Sequence, residues 1–190
     1  MDNLMGGQQA MKETVDVLLG TAEIAARIQE LGKQITADYA GQSIILLGAL
    51  KGAAIFLADL SRQISQEVNV EIDFIKASSY GDGTTSSGDV KLDHVPGENL
   101  KDRHVILVED IVDTGNTITR LKNHFAAQSL ASLKVCALLD KPERRDAKNH
   151  GLKIDYLGFT IPDKFVVGFG LDYAQRYRNL PYIGVLKGAI

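Results

Sequence analysis

The sequence predicts an α/β protein with a central, mostly parallel sheet flanked by helices, and three observations predict it. Short runs such as Ser43–Gly48, Val105–Val108 and Leu133–Leu139 are almost wholly apolar, the mark of strands buried on both faces. Segments of helical period stand between them. At 190 residues the chain can bury one sizeable core, and it shows neither an internal repeat nor a Pro-rich linker. Taken in order, Ile24, Ile28, Leu31 and Ile35 define a first amphipathic helix, and Ser43–Gly48 a first strand. Phe56, Leu57, Leu60 and Ile64 mark a second helix. Val70, Ile72 and Phe74 alternate with Glu71 and Asp73, a strand with one polar face. The Val105 strand, a helix through Ile118, Leu121 and Phe125, and the Leu133 strand follow. Further strands are predicted at Ile154–Phe159, Phe165–Gly168 and Tyr182–Leu186. Strands separated by helices imply parallel pairing through crossovers.

Composition narrows the class. The net charge of −3 is dispersed over both signs, so neither nucleic acid nor an anionic membrane is expected as a partner. The single cysteine, Cys136, lies within an apolar run and is expected to be a buried, inert thiol. No apolar run reaches the ~18–20 residues of a membrane span, and no signal-peptide pattern opens the chain. A cytoplasmic location is the default. Residues 1–12 are polar, Gly/Gln-rich and aperiodic, which reads as a flexible N-terminal leader ahead of a single domain at 13–190.

The most informative stretch is Val105–Thr117. A buried strand ends in two adjacent carboxylates, Glu109 and Asp110. A third acid, Asp113, comes next, and then the loop Thr114-Gly115-Asn116-Thr117 opens a helix. Acids at the carboxyl end of a parallel strand sit where open α/β sheets bind ligands. A Thr/Gly loop at a helix N-terminus offers amides, hydroxyls and the positive end of a dipole, which suit a phosphate. Acids beside an anion site become compatible once a divalent cation and a polyhydroxy phosphate are supplied. The acids then hold Mg²⁺ and sugar hydroxyls while the loop holds the phosphate. A Walker B aspartate is the competing reading, but the chain contains no G-x-x-x-x-G-K-[ST] loop.

This segment resembles the motif with which type I phosphoribosyltransferases bind phosphoribosyl pyrophosphate (PRPP), two acids followed by a D-[ST]-G-x-T loop. Other segments extend the resemblance to roughly residues 15–190 and to the hypoxanthine-guanine branch. Leu50-Lys51-Gly52 is similar to a loop whose non-proline cis peptide turns amides toward pyrophosphate. Leu138-Leu139-Asp140-Lys141-Pro142 matches the segment whose lysine binds the 6-oxo group of a purine. Ile161–Tyr173, followed by Arg178, matches the C-terminal purine-binding stretch. The small, polar segment Ala77–Asp89, with three glycines and Tyr80 as its only anchor, resembles the family's closing loop. A lid has a chemical reason to exist, because an oxocarbenium-like sugar must be kept from water.

The resemblance implies a type I phosphoribosyltransferase fold with a small hood built from the N- and C-terminal segments and a flexible lid at about 78–89. It implies transfer from PRPP to hypoxanthine or guanine, giving the nucleoside monophosphate and pyrophosphate with Mg²⁺ as cofactor. Asp113 is the implied general base, and Glu109 and Asp110 the ribose ligands. Thr114, Gly115, Asn116 and Thr117 would bind phosphate. Leu50, Lys51, Gly52 and Arg178 would bind pyrophosphate, with Ser79 and Tyr80 on the lid. Lys141, Phe165, Val166 and Asp172 would bind the purine, Phe165 by stacking. Glu109, Asp110 and Asp172 are the implied metal ligands, directly or through water. One departure is Asn116, where lysine also occurs in relatives; the loop amides with Thr114 and Thr117 can hold the phosphate without it. A homodimer or homotetramer is expected. A xanthine- or adenine-preferring relative and a catalytically silent PRPP-sensing regulator are the alternatives. Lys141 argues against adenine, and the regulator would need a nucleic-acid surface that the composition does not offer.

Overall fold

The structure, a computed structural model, describes residues 13–79, 90–94 and 100–188. The leader at 1–12 and the lid residues from Tyr80 to Asp89 lie outside the described residues. Along the chain run β1 (Thr14–Leu19), α1 (Thr21–Tyr39), β2 (Ser43–Leu50), α2 (Ala53–Ser61), β3 (Asn69–Ser79), β4 (Val90–His94), β5 (His104–Val112), α3 (Asn116–Phe125), β6 (Ser132–Asp140), β7 (Tyr156–Thr160), β8 (Val166–Val167) and β9 (Ile183–Lys187). Single 3₁₀ turns sit at Pro142–Arg144 and Ala147–Asn149.

The main sheet has the order β4-β3-β2-β5-β6-β7, with only β4 antiparallel. Its central strands are buried on both faces, and the alternation of their side chains builds two cores. Ile44, Leu46, Ile106, Val108 and Cys136 pack on one side with the apolar stripe of α1 (Ile24, Ile28, Leu31, Ile35) and with Phe56, Leu57 and Leu60 of α2. Ile45, Leu47, Val105, Leu107, Val135 and Ala137 pack on the other with Ile118, Leu121 and Phe125 of α3. At ~25 cal/mol per Å² of apolar surface, these two cores supply most of the drive to fold. Cys136 is fully buried, and that burial pushes its thiol up, so it is the inert group its apolar run predicted. The open edge at β7 is covered by Arg27 of α1, which donates to the carbonyls of Leu157 (2.6 Å) and Gly158 (3.0 Å).

A smaller antiparallel sheet, β1-β9-β8, joins the two ends of the chain. This is the hood. Sequence periodicity missed β1, because five of its six residues are exposed or only half-buried and Val17 is 62% exposed. It missed β4 for a different reason. Ala77, Ser78 and Ser79 pair with Leu92, Lys91 and Val90, so the first two residues of the lid expected at about 78–89 belong to β3. A ladder needs backbone groups alone, and small polar residues supply them as well as apolar ones. In β3 the expected apolar face is incomplete. Val70 and Phe74 reach the core, but Ile72 remains 48% exposed, since α2 lies mainly over β2 and β5. Ile64 joins the core from the turn beyond α2 rather than from the helix itself.

Candidate active site

The chain enters the main sheet at β2, adds β3 on one side, and then crosses to β5 on the other. Loops therefore diverge at the carboxyl ends of β2 and β5, the topological switch point where such sheets bind ligands. Three segments meet there. After β2, the Leu50–Lys51 peptide is cis, as the resemblance implied, and Gly52 follows. A methyl group on Gly52 would lie 1.6 Å from Asp110 Oδ2, and one on Gly170 would lie 2.1 Å from the Gly52 carbonyl. Gly52 is therefore glycine because the Asp110 carboxylate occupies the space a side chain would need. Arg178 donates to the Gly170 carbonyl (2.7 Å) and pairs with Asp172 (2.7 Å). Lys51 reaches Gln175 at 3.4 Å. The loop 168–178 also holds Phe169, Ala174, Gln175 and Tyr177 at positive φ, uncommon for side-chain-bearing residues and typical of functional loops.

A cleft of about 630 Å³ opens beside this junction, lined by Asp110, Ile111, Asp113, Lys141, Arg144, Asp163, Phe165, Val166, Leu171 and Asp172. That volume suits a small-molecule ligand. Six of the residues singled out from the sequence thus share one cavity: Asp110, Asp113, Lys141, Phe165, Val166 and Asp172. Lys141 is 6% exposed and makes no side-chain hydrogen bond or ion pair among the described residues. With no protein partner among those residues, its ammonium can donate to a ligand in the cleft. Phe165, by contrast, is 52% exposed, and its ring meets that of Tyr173 nearly at right angles with centroids 5.7 Å apart.

The two adjacent acids part company. Neighbours on a strand point to opposite faces, so Asp110 turns toward α2 and the cleft while Glu109 turns away from it. Glu109 is buried, and its Oε2 has no hydrogen-bond partner. Burial, and then the charge of Asp110, push its carboxyl well above the usual range. Burial also pushes Asp110 up to about 6, against the hydrogen bond its Oδ1 accepts from Ile111 N (2.9 Å) and the pull of Arg178. Asp172 is paired with Arg178 and also accepts from Gln175 N at 2.8 Å. Among the described residues, no three His, Cys, Asp or Glu side chains are grouped closely enough to hold a metal ion by themselves.

The phosphate loop sits at the start of α3. Gly115 takes the N-cap position at φ +82° and has no side chain with which to cap the helix amides. Asn116 N finds only Thr114 Oγ1 at 3.4 Å, which leaves donors for an anion. Ser79 ends β3, and Tyr80 lies outside the described residues.

Sequence reasoning missed Arg144, Arg145, Asp146, Asn149 and Asp163. Arg144 lines the cleft and pairs with Asp113 (3.3 Å) and Asp163 (3.9 Å). The available signal was the run Glu143-Arg144-Arg145-Asp146 directly after Lys141-Pro142, dense in charge at the end of a buried strand.

Comparison with known proteins agrees with this geometry. The phosphoribosyl transferase domain model matches residues 14–174. The hypoxanthine phosphoribosyltransferase of Escherichia coli K12 is 47% identical over 176 residues, covering 92% of this chain and 96% of that protein. The hypoxanthine-guanine phosphoribosyltransferase of Streptococcus pneumoniae R6 is 48% identical over 171 residues, covering 90% and 92%. A crystal structure of a hypoxanthine-guanine phosphoribosyltransferase from Bacillus anthracis, with HEPES in its active site, matches at a TM-score of 0.82 and 45% identity over 90% of this chain and 97% of that one. The chain belongs to the phosphoribosyltransferase family and has its type I fold.

Proposed function

We propose that the chain transfers the phosphoribosyl group of PRPP to hypoxanthine or guanine, releasing pyrophosphate. The observation that carries this reading is Lys141, without a side-chain partner among the described residues, in the same cleft as the exposed Phe165 and the acids Asp110 and Asp113. Phe165 stacks on the purine, and Val166 presents its backbone to the base edge. Lys141 donates to the 6-oxo oxygen, which an amino group at that position could not accept. One purine nitrogen attacks the anomeric carbon, the bond to pyrophosphate breaks with inversion, and Asp113 takes the proton from the purine imidazole ring. Arg144, paired with Asp113, holds that carboxylate in place. The loop Thr114–Thr117 holds the 5′-phosphate, and Leu50–Gly52 with Arg178 holds the pyrophosphate. Two substrates fixed in line account for much of the acceleration.

The donor set fits Mg²⁺. This ion takes one or two carboxylates and completes its shell with waters and substrate phosphates, so the lack of a three-residue cage among the described residues is compatible with it. Asp110 and Asp172, which line the cleft, would hold it; Glu109, which the resemblance offered as a further ligand, turns away from the cleft. When bound, the ion neutralises the leaving pyrophosphate.

Pyrophosphate release is followed with PRPP, Mg²⁺ and each of hypoxanthine, guanine, xanthine and adenine. Turnover with the first two, little with adenine, and its loss in EDTA with recovery on added Mg²⁺ are expected. Turnover with adenine equal to that with hypoxanthine would remove Lys141 as the specificity determinant. Full activity after rigorous metal removal would refute the role of the ion.

A further inference from the structure

The phosphate loop is not self-supporting: its shape is imposed by the segment that follows β6. The Thr114 carbonyl accepts from Asp146 N (3.2 Å) and from Asn149 Nδ2 (2.9 Å). The same Nδ2 donates to Asn116 Oδ1 (2.9 Å), and Asn116 Nδ2 donates to Asp146 Oδ2 (2.8 Å). Asn149 Oδ1 accepts from Thr119 Oγ1 (2.8 Å). Asn149 is 3% exposed, so the three bonds of its own side chain are largely shielded from competing water. Behind Gly115, the position of a missing Cβ lies 3.1 Å from Arg145 Nη1 and 3.2 Å from Asn149 Cβ. The side chain of Arg145 is 6% exposed and is tied to Asp140, one residue before Lys141.

The direction of this network follows from one group. A carboxylate only accepts, so Asp146 requires the amide NH₂ of Asn116, and Asn116 must then turn its oxygen to Asn149. Asn149 must answer with its own NH₂, which leaves its oxygen for the Thr119 hydroxyl. Drawn inward by Asn149 and Asp146, the Thr114 carbonyl faces away from the ligand side, and the amides that follow it are free to point outward.

We propose that Asn149 is a positioning residue for phosphate binding: it fixes the Thr114–Thr117 loop in its anion-binding shape without touching substrate. The inference rests on the reading of that loop as the 5′-phosphate site.

Asn149→Asp tests it. The carboxylate would face two acceptors, the Thr114 carbonyl and Asn116 Oδ1, and Asn116 cannot flip without turning its oxygen onto Asp146. Calorimetry with inosine 5′-monophosphate and with inosine separates phosphate affinity from base and sugar affinity. The variant should bind the nucleotide about 10- to 100-fold more weakly, the loss expected for a buried hydrogen bond broken beside a charged ligand, with inosine binding unchanged. The KM for PRPP should rise while the KM for hypoxanthine stays put. Adding Asp146→Asn reverses the bond at Asn116 and should recover part of the loss; no recovery overturns the argument from bond direction. If Asn149→Asp does not fold, Thr119→Val, which removes only the donor to Asn149, should show a smaller loss of the same selectivity. An unchanged nucleotide-to-nucleoside ratio in the folded variant, or equal weakening of both ligands, overturns the proposal. A wild-type protein that binds inosine 5′-monophosphate no better than inosine overturns the phosphate-loop reading itself, and the role of Asn149 with it.

Discussion

Replacing Asp110 with asparagine should stabilise the ligand-free protein while abolishing its activity. A carboxyl with an ordinary value of 3.8 is held at about 6 in the fold, chiefly by burial. Each tenfold change in proton affinity corresponds to about 1.4 kcal/mol, so ionised Asp110 costs the folded state up to about 3 kcal/mol. That is an upper figure, because Asp110 keeps part of its surface open to the cleft. The folded carboxyl binds its proton more tightly than the unfolded one. Its contribution to stability is therefore complete below about pH 4 and is lost as the pH rises through about 6. Asparagine retains the acceptor for Ile111 N and carries no charge at any pH. For a domain of this length each kcal/mol moves the melting temperature by about 2–4 °C, so Asp110→Asn should melt up to roughly 6–12 °C higher at pH 8. At pH 4 the two proteins should melt together. The assay is thermal unfolding of metal-free protein in EDTA across that pH range, paired with turnover in Mg²⁺. A gain of equal size at both pH values, or no gain at pH 8, would refute the electrostatic account of the site.

Asp113→Asn should lower turnover by about 10²–10⁴-fold, the usual loss of a general base, with PRPP binding retained; near-normal turnover would remove Asp113 from that role. Lys141→Ala should weaken 6-oxopurines and narrow the gap to adenine, whereas Phe165→Ala should weaken every purine alike, as competition assays would show. Gly52→Ala forces a methyl into the Asp110 carboxylate and should destabilise by about 1–3 kcal/mol with loss of activity. Gly20→Ala, with nothing within 4 Å of the added carbon, is the control; equal behaviour of the two would show that the contact at Gly52 is slack.

The strands β2, β5 and β6 and the helices α1 and α3 were legible because burial on both faces or along one stripe leaves a periodic apolar record. The hood strand β1 and the edge strand β4 left only short alternations, Val15 with Val17 and Val90 with Leu92. One is mostly solvated, and the pairing of both is a matter of backbone hydrogen bonds, which any residue but proline supplies. Glu109 and Asp110 looked equivalent as neighbours in the chain. The pleat separates them, one into the core and one into the cleft, and the packing of Gly52 and Gly170 fixes the place of the second.

Local chemistry carried the phosphate and metal half of the site, acids at a strand end and a Thr/Gly loop opening a helix, and the family resemblance carried the purine half, a lysine closing another strand and an aromatic near the C-terminus. All of that is written within a few residues at a time. Tertiary structure decided how those pieces meet. Lys141 has no partner among the described residues because the strands around it bring none, and Asp172 has Arg178 because the loop between β8 and β9 folds back on itself. Asn149 stands some thirty residues from the loop it holds, and no period or motif links the two. Hydrogen bonds across such separations are specified only when the sheet places the carboxyl ends of β5 and β6 side by side.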